Sequence, residues 1–70
     1  MEQNKVNMIK AYRVSCNFTQ QQMANAIGVH VNTYRAIEEN PDKMELGQLK
    51  KFVSEIQKVD NTISINNILF

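Results

Sequence analysis

Thr19-Gln20-Gln21-Gln22 constrains the fold most, because it marks where a helix must begin in a chain with only two glycines and one proline. The Thr19 hydroxyl can accept from the backbone N–H of Gln22, and the Gln22 side chain can reach back to the N–H of Thr19. This reciprocal capping box satisfies two donors that a helix start otherwise leaves open. Phe18 before the cap and Met23 four residues beyond it form the matching hydrophobic staple. Gln22 is thus occupied. Gln20 and Gln21 remain at a helix N-terminus, where the dipole and free N–H groups favour an anion.

The helix so started is short. It ends at Ile27, and Gly28 supplies the positive φ expected at a helix exit. A third helix is predicted over about Val31 to Glu39, with Tyr34 and Ile37 on one face and Val29 anchoring the turn before it. Its other face carries Asn32, Arg35 and Ala36, with Val31 at its start, and Pro41 closes the segment. The first helix is predicted from an Asn4 N-cap to Ser15, with Val6, Met8, Ile9, Tyr12, Val14 and Cys16 as its apolar positions and Asn17 ending it in the left-handed region. A fourth covers about Leu46 to Lys58, with Leu46, Leu49, Phe52, Val53 and Ile56 as its apolar stripe. Gly47 weakens its first turn by about 1 kcal/mol relative to alanine. In the tail, NTISINNILF, Ser64 is expected to cap a short fifth helix over Ile65 to Leu69, although partial alternation leaves a strand open. No segment alternates strictly with period two, so the expected fold class is all-α, with four to five helices. Helices 2 and 3, joined by a short glycine-containing turn, form a helix-turn-helix, and Ala24 is small where the two must cross closely.

Composition narrows the function classes. Seventy residues with 43% hydrophobic content are expected to make one domain over 1–70, with a core over about 4–58 and a tail or short helix over 59–70. So small a domain leaves little surface for a deep catalytic cleft. The single cysteine, Cys16, rules out an internal disulfide framework and reads as a small core residue. No signal-like or membrane-length apolar run is present, so a cytoplasmic protein is expected. The net charge is +1, but it is unevenly spread. Lys5, Lys10, Arg13 and Arg35 face only Glu2 in residues 1–37. Four lysines face Glu38, Glu39, Asp42, Glu45, Glu55 and Asp60 in the rest. The basic half permits a polyanion partner. No nucleophile–base pair, carboxylate pair, phosphate-cradling glycine loop or metal set is visible, so neither an enzyme nor a cofactor is expected.

The stretch TQQQMANAIGVHVNTYRAIEE resembles the phage Cro, phage repressor and Xre-type helix-turn-helix regulators. Threonine-glutamine, then alanine five residues after the threonine, then glycine between apolar residues, then a second helix ending in Ile-Glu, is the pattern shared. With Arg13 and Leu46 to Ile56, the resemblance spans most of residues 5–58. It implies a compact lambda-repressor-like domain that binds operator DNA, usually as a homodimer, in a bacterium or its phage. The second helix of such a pair enters the major groove with its N-terminal residues at base edges. Val31, Asn32, Thr33, Arg35 and Ala36 are then the base-facing set. Asn32 has the donor and acceptor for adenine, and Val31 and Ala36 suit a thymine methyl. Gln20 matches a glutamine that holds a backbone phosphate in this family. Gln21 beside it, His30, the Tyr34 hydroxyl and Lys43 complete the phosphate-facing set. Arg13 and Glu38 match an ion pair that fixes the third helix against the first. His30 departs from the usual Ser or Thr cap, and Glu39 puts a negative charge near the expected DNA backbone. A protein-binding module of the same fold, anti-repressor or antitoxin-like, is the alternative.

Overall fold

The computed structural model describes residues 8–64. Four α-helices follow one another: α1 (Met8–Ser15), α2 (Gln20–Ile27), α3 (Val31–Glu39) and α4 (Leu46–Gln57). No strand occurs among the described residues, so the all-α expectation holds. The Asn4 cap and the fifth helix expected over Ile65 to Leu69 lie outside the described residues.

The local signals act where the sequence places them. Asn17 adopts φ 63° after α1. At the start of α2, Gln22 N donates to Thr19 Oγ1 at 3.0 Å and Thr19 N donates to Gln22 Oε1 at 2.7 Å. At its end Gly28 lies at φ 80°, and the amides of Gly28 and Val29 both return to Ala24 O at 2.9 Å. Gly28 N also reaches Asn25 O at 3.3 Å, so two of the last carbonyls of α2 are satisfied within a left-handed turn that side-chain-bearing residues rarely adopt. His30 caps α3 despite being neither Ser nor Thr: its Nδ1 accepts from Asn32 N at 3.0 Å. Pro41 ends α3, as expected, and also opens a 3-10 turn over Pro41–Lys43 that was not foreseen. Proline suits the first position of a helical turn because its missing N–H would have no partner there.

The core gathers on α2. Met23 and Ala24 are fully buried and α2 packs against both α3 and α4. Tyr34 and Ile37 arrive from α3, and Leu49, Phe52, Val53 and Ile56 from α4. Cys16 is buried as expected. Truncating Phe52 to alanine in such a core typically costs 3–5 kcal/mol, from lost apolar transfer and an unfilled cavity. Two expected apolar positions lie outside: Val14 is 52% exposed and Leu46 58%. Val14 falls on the side of α1 away from Ile9 and Tyr12 at 100° per residue. Leu46 opens α4 a turn before that helix meets the core at Leu49. After α4, Thr62 N and Oγ1 donate to Asp60 Oδ1, and Gln57 Nε2 holds the Ile63 carbonyl at 2.8 Å. That turn brings Ile63 back into the core.

Candidate nucleic-acid interface

On α3 the side chains divide by face. Tyr34 and Ile37 are locked inside, whereas Asn32, Thr33, Arg35 and Glu39 are exposed. Val31 and Ala36 are half-buried, and Val31 rests on the core. An open groove of about 460 Å³ runs beside this edge. Asn32, Thr33 and Ala36 form one wall, and Lys43, Glu45 and Gln48 form the other. The 3-10 turn brings Lys43 opposite α3, which sequence reading anticipated only as a loop cation. Gln48 was missed. Its signal is the spacing Glu45-x-x-Gln48, which repeats the Thr19-x-x-Gln22 pattern, and Glu45 N indeed donates to Gln48 Oε1 at 3.0 Å.

Beneath the exposed edge lies an ion pair. Arg13 from α1 donates through Nε and Nη2 to the two carboxylate oxygens of Glu38, and through Nη1 to the Phe18 carbonyl at 2.9 Å. One guanidinium therefore ties α1, the entry to α2 and the end of α3 together. Both side chains are largely buried, at 11% and 5% exposure. Burial pushes the Glu38 carboxyl up, but bonds from Arg13 and Gln20 and the adjacent Tyr34 hydroxyl outweigh it and hold the carboxyl below its ordinary range. The same pairing raises the Arg13 guanidinium. Burial, with the Glu38 charge beside it, raises the Tyr34 phenol far above its usual value. The Tyr34 hydroxyl is fully enclosed and has no hydrogen-bond partner of normal geometry among the described residues. The phosphate contact expected for that hydroxyl is therefore corrected: Tyr34 is fully buried in the core, with its oxygen beside the Arg13–Glu38 pair.

The other expected phosphate residues are at the surface but not idle. Gln20 Nε2 donates to Glu38 Oε1 at 3.0 Å, and Gln20 Oε1 accepts from Arg35 Nε at 3.1 Å. Arg35 Nη1 also donates to Asn32 Oδ1 at 3.1 Å. Gln21 Nε2 donates to Asn25 Oδ1, one helical turn along α2. His30 accepts through Nδ1, so its ring proton lies on Nε2. The side-chain bonds of Gln20 and Arg35 were not legible in advance. The Asn32–Arg35 spacing of three permits a contact on a helix, but Gln20 meets Arg35 only once α2 and α3 have crossed.

Among the described residues, no helix is long and apolar enough to cross a membrane. No group of His, Cys, Asp and Glu there could hold a metal ion. No curated protein and no solved structure matches the chain significantly. A family model described as helix-turn-helix matches residues 9–57, which takes in α1 through α4. With that match over most of its length, the chain belongs to the Xre/Cro-type helix-turn-helix family of DNA-binding regulators.

Proposed function

We propose that this protein is a Cro/repressor-type transcriptional regulator that binds an operator, with α3 entering the major groove N-terminus first. One observation carries the reading. α3 is pinned on one side by Tyr34, Ile37 and the Glu38 ion pair, and offers Asn32, Thr33 and Arg35 on the other. A rigid helix with a short polar edge outward is what groove reading requires. Asn32 has the amide for bidentate contact with adenine, and Val31, Thr33 and Ala36 provide small or apolar contacts to neighbouring bases. Gln20 keeps a second amide proton for a phosphate, and His30 keeps its Nε2 proton. Gln21 and Lys43 flank them. Such contacts set register without reading sequence. The protein would act in the cytoplasm as one domain, by occupying its operator so that polymerase is blocked or assisted.

A salt titration on random-sequence duplex tests this. Each neutralised phosphate releases counterions and contributes a slope of about −0.9 in log affinity against log salt. Only cationic contacts release counterions, here Lys43 and Arg35, so the slope should be about −1 to −2 per bound copy. A flat line would refute DNA binding and favour a protein-binding module. Such a module would draw on the exposed Val14, Leu46 and Val59.

A further inference from the structure

We infer that Arg35 is a positioning residue, which acts through Asn32 by fixing the direction in which the Asn32 amide reads a base. The assignment rests on the reading of α3 as the groove-entering helix. The side chains form one continuous chain: Arg13 to Glu38, Glu38 to Gln20, Gln20 to Arg35, Arg35 to Asn32. Its charged members, Glu38 and Arg35 above all, leave no freedom of polarity to Gln20 between them. The Glu38 carboxylate, paired with Arg13, only accepts, so Gln20 must turn its NH2 toward it. Gln20 must then turn its carbonyl toward Arg35, which only donates. Arg35 in turn demands the carbonyl oxygen of Asn32. A flip of either amide would set donor against donor or acceptor against acceptor. The outermost amide, Asn32, therefore has its orientation set by Arg35, which Gln20 and the buried ion pair behind it hold in place.

The consequence is chemical. With Oδ1 held by Arg35, Asn32 presents its NH2 away from Arg35, and a second lone pair remains on Oδ1. That set matches a base edge with an acceptor beside a donor, as adenine has in the major groove. Cytosine, whose groove edge offers only a donor, can engage Oδ1 alone and leaves the NH2 unmatched. Arg35 commits Nε–H and one Nη1 proton to Gln20 and Asn32 and keeps three N–H groups, so a phosphate or base contact can accompany its positioning role. Its exposed links compete with water in the free protein. Docking onto DNA removes that water and strengthens them.

Arg35→Lys is the discriminating variant, because it keeps the charge and loses the fork that bonds in two directions. Affinity is measured on duplexes selected from a random pool, with each base pair varied in turn. At unchanged melting temperature, Arg35→Lys should keep the salt slope on random duplex. It should lose about 5- to 150-fold discrimination at the base pair that Asn32→Ala also relaxes. The double variant should lose no more at that pair than either single one. Full retention of discrimination there would overturn the assignment, as would loss at a different base pair. A second readout needs no DNA. In the free protein the Arg35 Nε–H should exchange with solvent faster in Gln20→Met than in wild type. Equal exchange would overturn the relay even if DNA binds, whereas slowed wild-type exchange with no DNA binding would overturn the regulator reading alone.

Discussion

Glu38 carries more of this structure than its position near a helix end suggests. A carboxylate at 5% exposure is costly unless paired and fully bonded, and Arg13 and Gln20 meet both needs. Removing its charge leaves Arg13 partly unmatched, so Glu38→Gln should cost about 1.5–3 kcal/mol near neutral pH, the usual worth of hydrogen bonds to a charged group. The pH dependence has a definite sign. Glu38 is held below its ordinary value of 4.5, so the folded state binds its proton less readily than the unfolded one. The stability it contributes is fully present above about pH 4.5 and is lost as pH falls through the lower folded value. Melting temperatures from pH 7 down to 3 should therefore drop more steeply in wild type than in Glu38→Gln. Asp60, lowered by its bonds from Thr62, titrates alike in both proteins and cancels in the comparison. Parallel curves would show that Glu38 is not the linked group.

Among the elements, the two glycines offer a matched pair. Gly28 lies at φ 80° in the turn between α2 and α3, and Gly47 lies in the first turn of α4. A methyl group would meet nothing within 4 Å at either place, so sterics cannot distinguish them. Backbone conformation does. Alanine at position 28 must adopt the left-handed region at a cost of about 1–2 kcal/mol. Alanine at position 47 is helical already and gains up to about 1 kcal/mol in helix propensity and unfolded-state entropy. Denaturant titration of Gly28→Ala and Gly47→Ala should thus give midpoint shifts of opposite sign. The turn also sets the angle at which α3 leaves α2, so the same strain acts on the element that carries the exposed edge.

Viewed whole, the molecule measures 31 × 28 × 21 Å. In a two-fold pair, equivalent points lie apart by twice their distance from the axis, so for a molecule of this size the separation can be about one molecular width. That is close to the ~34 Å between successive major grooves on one face of a duplex. If two copies occupy one operator, as the proposed regulator would, direct contact between them is compatible with that spacing. Selection of bound duplexes from a random pool should return a two-fold symmetric site with half-site centres 10–10.5 base pairs apart. A single asymmetric half-site would mean that the copies bind independently.

Much of this was open to reading in the residues alone. The Thr19–Gln22 box, the Gly28 exit, the Asn17 stop and the apolar spacing of Tyr34, Ile37, Leu49, Phe52, Val53 and Ile56 are local rules, decided within a turn or two of chain. Among the described residues they settled the four helices, their order and the exposed face of α3. The pairing of Arg13 with Glu38 was reached only through family resemblance. Tertiary structure alone decided which partners the surface side chains of Gln20 and Arg35 meet. Whether Tyr34 keeps its hydroxyl at the rim or encloses it depends on how closely α2 and α3 cross. Whether Gln20 waits for a phosphate or joins Arg35 to Glu38 depends on three side chains from two helices arriving at one point. Hydrogen-bond polarity is a property of such meetings, since an amide can face either way until a partner that only donates or only accepts fixes it.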